Sequence, residues 1–390
     1  MINFDFSKDC CGCGACADTC ALGCISIIKD KKDFRIPNVE TSKCVECGKC
    51  EKVCPVINPS SRVNDEQKLY CTYNNKEDIR EKGSSGSIFY EVAKIVISDG
   101  GVVYGAAFVD KLQLKHCKAE TIEDVFPIMK SKYIQSNTNG VFKDVRNELK
   151  KGRKVLFVGT PCHCQALYNF LGRKEQENLI LIDFICHGVP PQELFDHAIE
   201  LYEKQHDCIV KDFSFRHKTQ MSLHNYKISY TCNDGTTKTE TGSSDEFPFY
   251  CGYLKYITFR NSCYGCKFCN QNRITDMTLG DFWHLENIDP TVQDFNKGYS
   301  MLIVNSAKGH EIFNLISGEL QYKEYNIDIA EPNNHAYCKP TFRSIKQKLY
   351  IRDYNRIPYE KLSERYFSYQ LSLPRRIIRR IIYEIERRMQ

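Results

Sequence analysis

From residue 88 to 97 apolar side chains recur at helical spacing, and Gly100-Gly101 ends the run, which predicts a helix with a glycine stop. The next segment, Val102-Val103-Tyr104-Gly105-Ala106-Ala107-Phe108, predicts a strand. Helical spacing returns over 141–151, with Gly152 as the cap. Lys154-Val155-Leu156-Phe157-Val158 predicts a short strand that runs into Gly159-Thr160-Pro161. Proline suits the first turn of a helix, so a helix over residues 161–171 follows. Leu179-Ile180-Leu181-Ile182-Asp183-Phe184 predicts another buried strand, and residues 190–205 another helix. Residues 209–241 predict an antiparallel hairpin that turns at Asn233-Asp234-Gly235. Strands alternating with helices imply α/β organisation, and the hairpin makes the sheet mixed.

The first 58 residues have a different character. They carry Cys10-x-x-Cys13-x-x-Cys16-x-x-x-Cys20 and Cys44-x-x-Cys47-x-x-Cys50-x-x-x-Cys54-Pro55, the bacterial ferredoxin spacing written twice. Four thiolates hold one 4Fe-4S cube, and in the two-cluster arrangement the fourth cysteine of each run serves the other run's cluster. Cluster one then takes Cys10, Cys13, Cys16 and Cys54, and cluster two takes Cys44, Cys47, Cys50 and Cys20. A closed zinc site uses four ligands, and two matched runs of four exceed that need. Cys11 and Cys24 fall outside the spacing and read as packing residues. Ala21 stands where the first run would carry proline, which affects the turn and not the ligands.

Composition fits a small module joined to one large domain. The chain has 390 residues, of which 42% are hydrophobic, enough for a sizeable core. The boundaries read as a ferredoxin-type domain at 1–58, a large domain at 59–350 and a tail at 351–390, with Asn58-Pro59-Ser60-Ser61 as linker. Residues 351–390 hold ten Lys/Arg against five Asp/Glu, and the preceding 350 residues hold 44 of each sign. A nucleic-acid partner is therefore not expected. In the tail, isoleucines at 377, 378, 381, 382 and 385 form a stripe flanked by arginines. Two readings fit it: a helix docked on its own domain, or a surface helix at an anionic membrane or a partner. The opening residues lack a signal-peptide pattern, and 22 cysteines without an export signal suggest a reducing cytoplasm.

Further cysteines stand at predicted strand ends, where open α/β sheets collect ligands. Cys162 opens the helix after Gly159-Thr160-Pro161, and Cys186 precedes His187-Gly188. Cys263-x-x-Cys266-x-x-Cys269 comes later. Two strand-end cysteines and a C-x-x-C pair suffice for a third cube. On spacing alone, Cys162 and Cys186 read instead as small buried hydrophobes, whereas the run at 263 does not.

Seven blocks in order carry a resemblance. They are Gly83-Ser84-Ser85-Gly86-Ser87, Gly105-Ala106-Ala107-Phe108, Ser131-Lys132-Tyr133-Ile134-Gln135-Ser136, Val158-Gly159-Thr160-Pro161-Cys162, Ile185-Cys186-His187-Gly188-Val189-Pro190, Ser262-Cys263-Tyr264-Gly265-Cys266-Lys267-Phe268, and Asp276-Met277-Thr278-Leu279-Gly280-Asp281-Phe282-Trp283. Over most of its length to about residue 320 the chain resembles the family of coenzyme F(420) hydrogenase/dehydrogenase beta subunits, in the version fused to a two-cluster ferredoxin. The resemblance implies an FAD beside a third 4Fe-4S cluster held by Cys162, Cys186, Cys263 and Cys266. Cys164 and Cys269 lie outside the family's pattern. It points to Ser84, Ser85, Gly86 and Ser87 for the FAD pyrophosphate, through backbone N–H groups ahead of a helix. Lys132, Tyr133, Gln135, Ser136, Gly159 and Thr160 join them as cofactor-binding candidates, and His187 is the candidate proton donor. Three positions depart from the family: Ser87 for glycine, His163 for glutamine and His284 for glycine. The last two lie near the presumed cluster or substrate face.

The expected protein is a flavin-dependent iron–sulfur oxidoreductase with a small two-cluster ferredoxin-like domain and a larger mixed-sheet α/β flavin-binding domain. A cube passes single electrons and a flavin converts them to hydride chemistry. Its expected partners are a ferredoxin or other redox protein and a small-molecule substrate. The alternatives are a non-catalytic subunit that relays electrons to a partner enzyme and, more weakly, a redox sensor at the inner face of the membrane.

Overall fold

The computed structural model describes residues 1–62, 67–219, 222–292 and 294–368. The N-terminal module has one small hairpin, β1 (Ile25–Lys29) against β2 (Arg35–Val39), and short helices inside each cysteine run, Ala15–Thr19 and Lys49–Val53. Both helices are entered through a left-handed glycine, Gly14 and Gly48, a backbone that other residues adopt at a cost.

The large domain is built on an eight-stranded sheet. Its strands are β3 (Lys68–Asn74), β4 (Val102–Val109), β5 (Gln113–Ala119), β6 (Val155–Gly159), β7 (Leu179–Phe184), β11 (Met277–Asp281), β12 (Ser300–Val304) and β13 (Leu320–Tyr325), in the order β13-β3-β12-β11-β7-β6-β4-β5. The central four, β11, β7, β6 and β4, are parallel, and both flanks are antiparallel. Parallel strands covered on both faces read as unbroken apolar runs, which explains why β4, β6 and β7 were plain in the sequence. The strands β3, β5, β11 and β13 mix polar and apolar positions and were not.

A second sheet is a meander of β8 (Cys208–His217), β9 (Asn225–Cys232) and β10 (Thr237–Ser243). The expected hairpin is its β9–β10 half, turning at Asn233-Asp234-Gly235, and β8 extends it. Its inner face meets the helix Gln192–His206 over a packed aromatic core that includes Phe195, Phe213, Phe215 and Phe249. Each such ring contributes about 1.5–3 kcal/mol by burial.

The N-terminal module shares a core with the large domain. Ala15, Val53 and Val56 pack with Phe142, Val145, Leu167 and Phe170 from helices Val141–Lys150 and Pro161–Phe170. Asp18 fastens it further, accepting from the Gly140 and Phe142 N–H groups. The linker is pinned too, because Asn58 O accepts from Asn169 and Arg173. The boundary expected at residue 350 falls inside the helix Ile345–Asp353, and Tyr354, Leu362, Tyr366 and Phe367 belong to the aromatic core. The isoleucine–arginine stripe at 377–385 lies outside the described residues. Among the described residues no helix is long and apolar enough to cross a membrane.

Candidate functional site

A cavity of about 1000 Å³ opens at the carboxyl ends of β6, β7 and β11. Ligands gather at this edge of open α/β sheets because the chain turns away there and leaves a crevice. Thr160, Pro161 and Cys162 leave β6 for the next helix, Ile185, Cys186 and His187 leave β7, and Trp283 and His284 follow β11. Cys263, Cys266 and Cys269 line the same cavity.

The four cysteines assigned to a third cluster are thus brought together. Cys186 feels the charges of Cys263, Cys162 and Cys266, and burial pushes its thiol well above the ordinary range. Cys269 bonds to Cys266, whose pKa falls to about 7. Among the described residues no three His, Cys, Asp or Glu side chains close on a single ion. Cys162, Cys186, Cys263 and Cys266 all line the one cavity.

The cysteines assigned to cluster one also gather. Cys10, Cys13, Cys16 and Cys54 are buried around one small void. In the second set Cys50 is buried, Cys20 and Cys44 are half-buried, and Cys47 is exposed beside Val45, so that set reaches solvent at Cys47. The two cysteines that spacing left out are buried in the core that the module shares with the large domain. Cys24 lies 3.2 Å from Cys20 and also neighbours Cys44. Cys11 borders both the void and the large cavity, and its thiol meets those of Cys13 and Cys162.

The remaining sequence-predicted residues line the cavity except Gly86. Gly86 instead packs on the sheet, where a Cβ would lie 2.3 Å from Thr72 O. Around it, Ser84 Oγ accepts from Ser131 N, and Ser87, at φ +64°, donates to Arg80 O. The N–H groups of Ser84, Ser85 and Ser87 take no partner among the described residues. Gln135 donates to Cys11 O, and Ser136 meets His116, which is held neutral by burial with a pKa of about 4. His187 is likewise lowered to about 4 by burial and by His335, so its neutral ring is the resting form at neutral pH.

Lys132 spends its ammonium on the protein. Its Nζ lies 2.6–2.9 Å from the carbonyls of Ala106, Pro127, Ile128 and Met129. Burial drives its pKa down to about 7, whereas four carbonyl acceptors favour the charged form. Lys132→Met is expected to lower the urea midpoint by the equivalent of about 2–3 kcal/mol, because buried acceptors lose a charged donor. It also loosens the cavity wall at 127–132. An unchanged midpoint would show that the carbonyls are satisfied without Lys132.

Sequence reasoning missed Arg216. It is 1% exposed, and its guanidinium makes two 2.7 Å bonds to Asp281. It also donates to Ser84 O and Tyr133 Oη and lies 5.3 Å from the Trp283 ring, on which His224 stacks. Burial opposes ionisation of Asp281, but the guanidinium outweighs it and holds the carboxyl below its ordinary range. Unpartnered buried atoms face this cavity: both ring nitrogens of His163, Nδ1 of His187 and Nε of Arg216. Such atoms are costly unless something bonds them, so the wall fits a polar ligand.

Cysteine runs spaced for cubes, seated on a mixed α/β domain whose strand-end cysteines face a cavity, define an iron–sulfur oxidoreductase. Residues 9–58 match the 4Fe-4S dicluster domain, and residues 152–328 match the C terminus of the coenzyme F420 hydrogenase/dehydrogenase beta subunit. The chain thus joins a 4Fe-4S dicluster domain to a domain similar to the C terminus of that beta subunit. It is 19% identical over 326 residues to a subunit of the F(420)H(2) dehydrogenase of Methanosarcina mazei, a match that covers 81% of this chain and 84% of that protein. A structure of the F420-reducing [NiFe] hydrogenase complex from Methanosarcina barkeri superposes with a TM-score of 0.44 at 16% identity, over 78% of this chain and 92% of that one.

Proposed function

We propose that this chain carries electrons singly from a redox protein through three 4Fe-4S clusters to an FAD, which exchanges them with a small-molecule substrate. One observation carries the reading: the strand-end cysteines, the Ser84–Ser87 loop and Cys11 of the ferredoxin module all border one cavity. Cluster two is the entry point, since Cys47 is exposed while the ligands of cluster one are buried. Cluster one comes next, and Cys11 reaches from it to Cys162.

The third cluster takes Cys162, Cys186, Cys263 and Cys266. The unpaired N–H groups of Ser84, Ser85 and Ser87 bind the pyrophosphate ahead of the helix Ile88–Ser98. When bound, FAD supplies the conversion between one-electron and hydride chemistry. Arg216 and Tyr133 fix the loop and Trp283 around it. The His187 ring, neutral and stacked on Tyr256 at 5.8 Å, offers a fixed hydrogen-bonding edge on the substrate side.

Acid release from anaerobically purified protein tests the reading. About twelve iron atoms, four per cube, and about one FAD per chain are expected. About eight iron atoms without flavin would replace it with a subunit that only relays electrons to a partner enzyme.

A further inference from the structure

Arg260 is a buried cation that the proposed electron path does not yet use. It is 2% exposed. Nη1 donates to Cys10 O at 2.9 Å, and Nη2 donates to Arg35 O at 2.7 Å and to Gln135 Oε1 at 2.9 Å. The guanidinium also lies 4.8 Å from the Phe34 ring, and Nε has no partner. All these partners are neutral. The buried arginines Arg216 and Arg273, by contrast, carry Asp281 and Asp183.

The location is specific. Arg260 starts the turn Asn261–Gly265, and its own carbonyl accepts from Cys263 N at 3.0 Å. Its side chain crosses the seam to the loop that begins the other cysteine run. Gly12 faces it there, and a Cβ at that position would lie 2.6 Å from Nη2. The charge acts on Cys10 on one side and on Cys263 on the other. A guanidinium taken out of water without a carboxylate is costly unless other negative charge faces it. Thiolate-held cubes carry that charge, and each gains one more unit on reduction.

We propose that Arg260 is the shared counter-cation of cluster one and the third cluster, raising both reduction potentials together. The inference rests on the three-cluster reading above. Charge and hydrogen bonding near a cluster are among the means by which a protein sets its potential. With no carboxylate paired to it, the charge acts at full strength in a low-dielectric seam. Cluster two, on the solvent side around Cys47, lies beyond this contact.

The test is a redox titration of the iron-loaded full chain followed by electron paramagnetic resonance. In Arg260→Gln, two of the three cluster signals should shift to lower potential by at least tenfold in the reduction equilibrium, about 59 mV for a one-electron couple. The third signal should not move, and iron content should hold. Arg260→Lys should restore most of the shift. Gln135→Glu gives a second route that leaves Arg260 in place, because it puts a carboxylate where Oε1 already accepts from Nη2. It should lower the same two potentials. Unmoved potentials in both Arg260→Gln and Gln135→Glu, or a shift of one cluster alone, would overturn the shared role. So would Arg260→Lys behaving like Arg260→Gln, which would assign the effect to lost carbonyl contacts. Wild-type protein with about eight iron atoms would instead sink the three-cluster reading beneath it.

Discussion

Cys263→Ala is expected to lower the iron content from about twelve to about eight atoms per chain, with both N-terminal cubes intact. The turn that carries Cys263 does not depend on its sulfur. Asn261 donates to Ser7 O, Ser262 donates to Cys10 O, and the Cys263 N–H is held by Arg260 O. The backbone therefore stays docked on the ferredoxin module while one thiolate is lost. The thiols of Cys162 and Cys186 are pushed well above their ordinary range by buried surroundings and by neighbouring cysteines. Only a strongly bound cationic centre makes such a group of thiolates favourable, so a three-ligand remnant should not hold a full cube. On the proposed electron path, reduction of a bound flavin by a protein donor should stop, and direct chemical reduction should remain. Cys269, hydrogen-bonded to Cys266 and lining the same cavity, is placed to substitute. If Cys263→Ala kept about twelve iron atoms and the Cys263→Ala/Cys269→Ala double variant lost about four, Cys269 would be the fourth ligand. Full iron in both would remove this run from any cluster.

The legibility of these cysteines varied for a physical reason. A cube ligated by three cysteines of one short loop imposes a fixed spacing, so Cys10 to Cys20 and Cys44 to Cys54 were readable without a fold. Cys162 and Cys186 come from different strands and meet only because β6 and β7 are adjacent and parallel. No spacing records that, and the resemblance to a family supplied it. Cys11 and Cys24 were read as packing because they break the spacing. Both are buried in the core, and their contacts with Cys162 and with Cys20 depend on the fold.

Arg216 was hidden by a different device. Along β8, Phe213 and Phe215 point into the aromatic core, so simple alternation sends Arg216 to solvent. The pairing with β9 slips between Ser214 and His217, and Arg216 adopts φ +56°. A bulge of this kind re-aims one side chain, and here it turns a guanidinium inward to Asp281. The loop at 83–87 was legible as a binding element, but the sequence could not separate Gly86, which packs on Thr72 and Ser300, from the serines that face the cavity. Lys132 was singled out as a cofactor-binding candidate through the resemblance, whereas its four carbonyl partners depend on how residues 127–129 return past β4.

Asp281→Ala should cost about 3–5 kcal/mol, the usual range when one member of a buried ion pair is removed and its partner is left uncompensated. The pair is fully charged at neutral pH. Asp281 has a folded pKa below its ordinary 3.8, so its contribution is complete above that value and is lost only as the pH falls through the lower folded value. The damage should extend to function. Arg216 holds Ser84 O and Tyr133 Oη and lies against Trp283, so an unpaired guanidinium disturbs the loop and the aromatic wall together. Asp281→Asn keeps the shape and one acceptor and should fall between wild type and Asp281→Ala. Arg216→Met/Asp281→Leu removes both charges and should recover much of the stability, since replacing a buried pair by apolar groups is often neutral. It should not recover flavin retention if the pair positions the site. Denaturation midpoints and flavin content of the three variants separate these effects. A double variant that regained both would reduce Arg216 and Asp281 to a fold contact, with no part in holding the ligand.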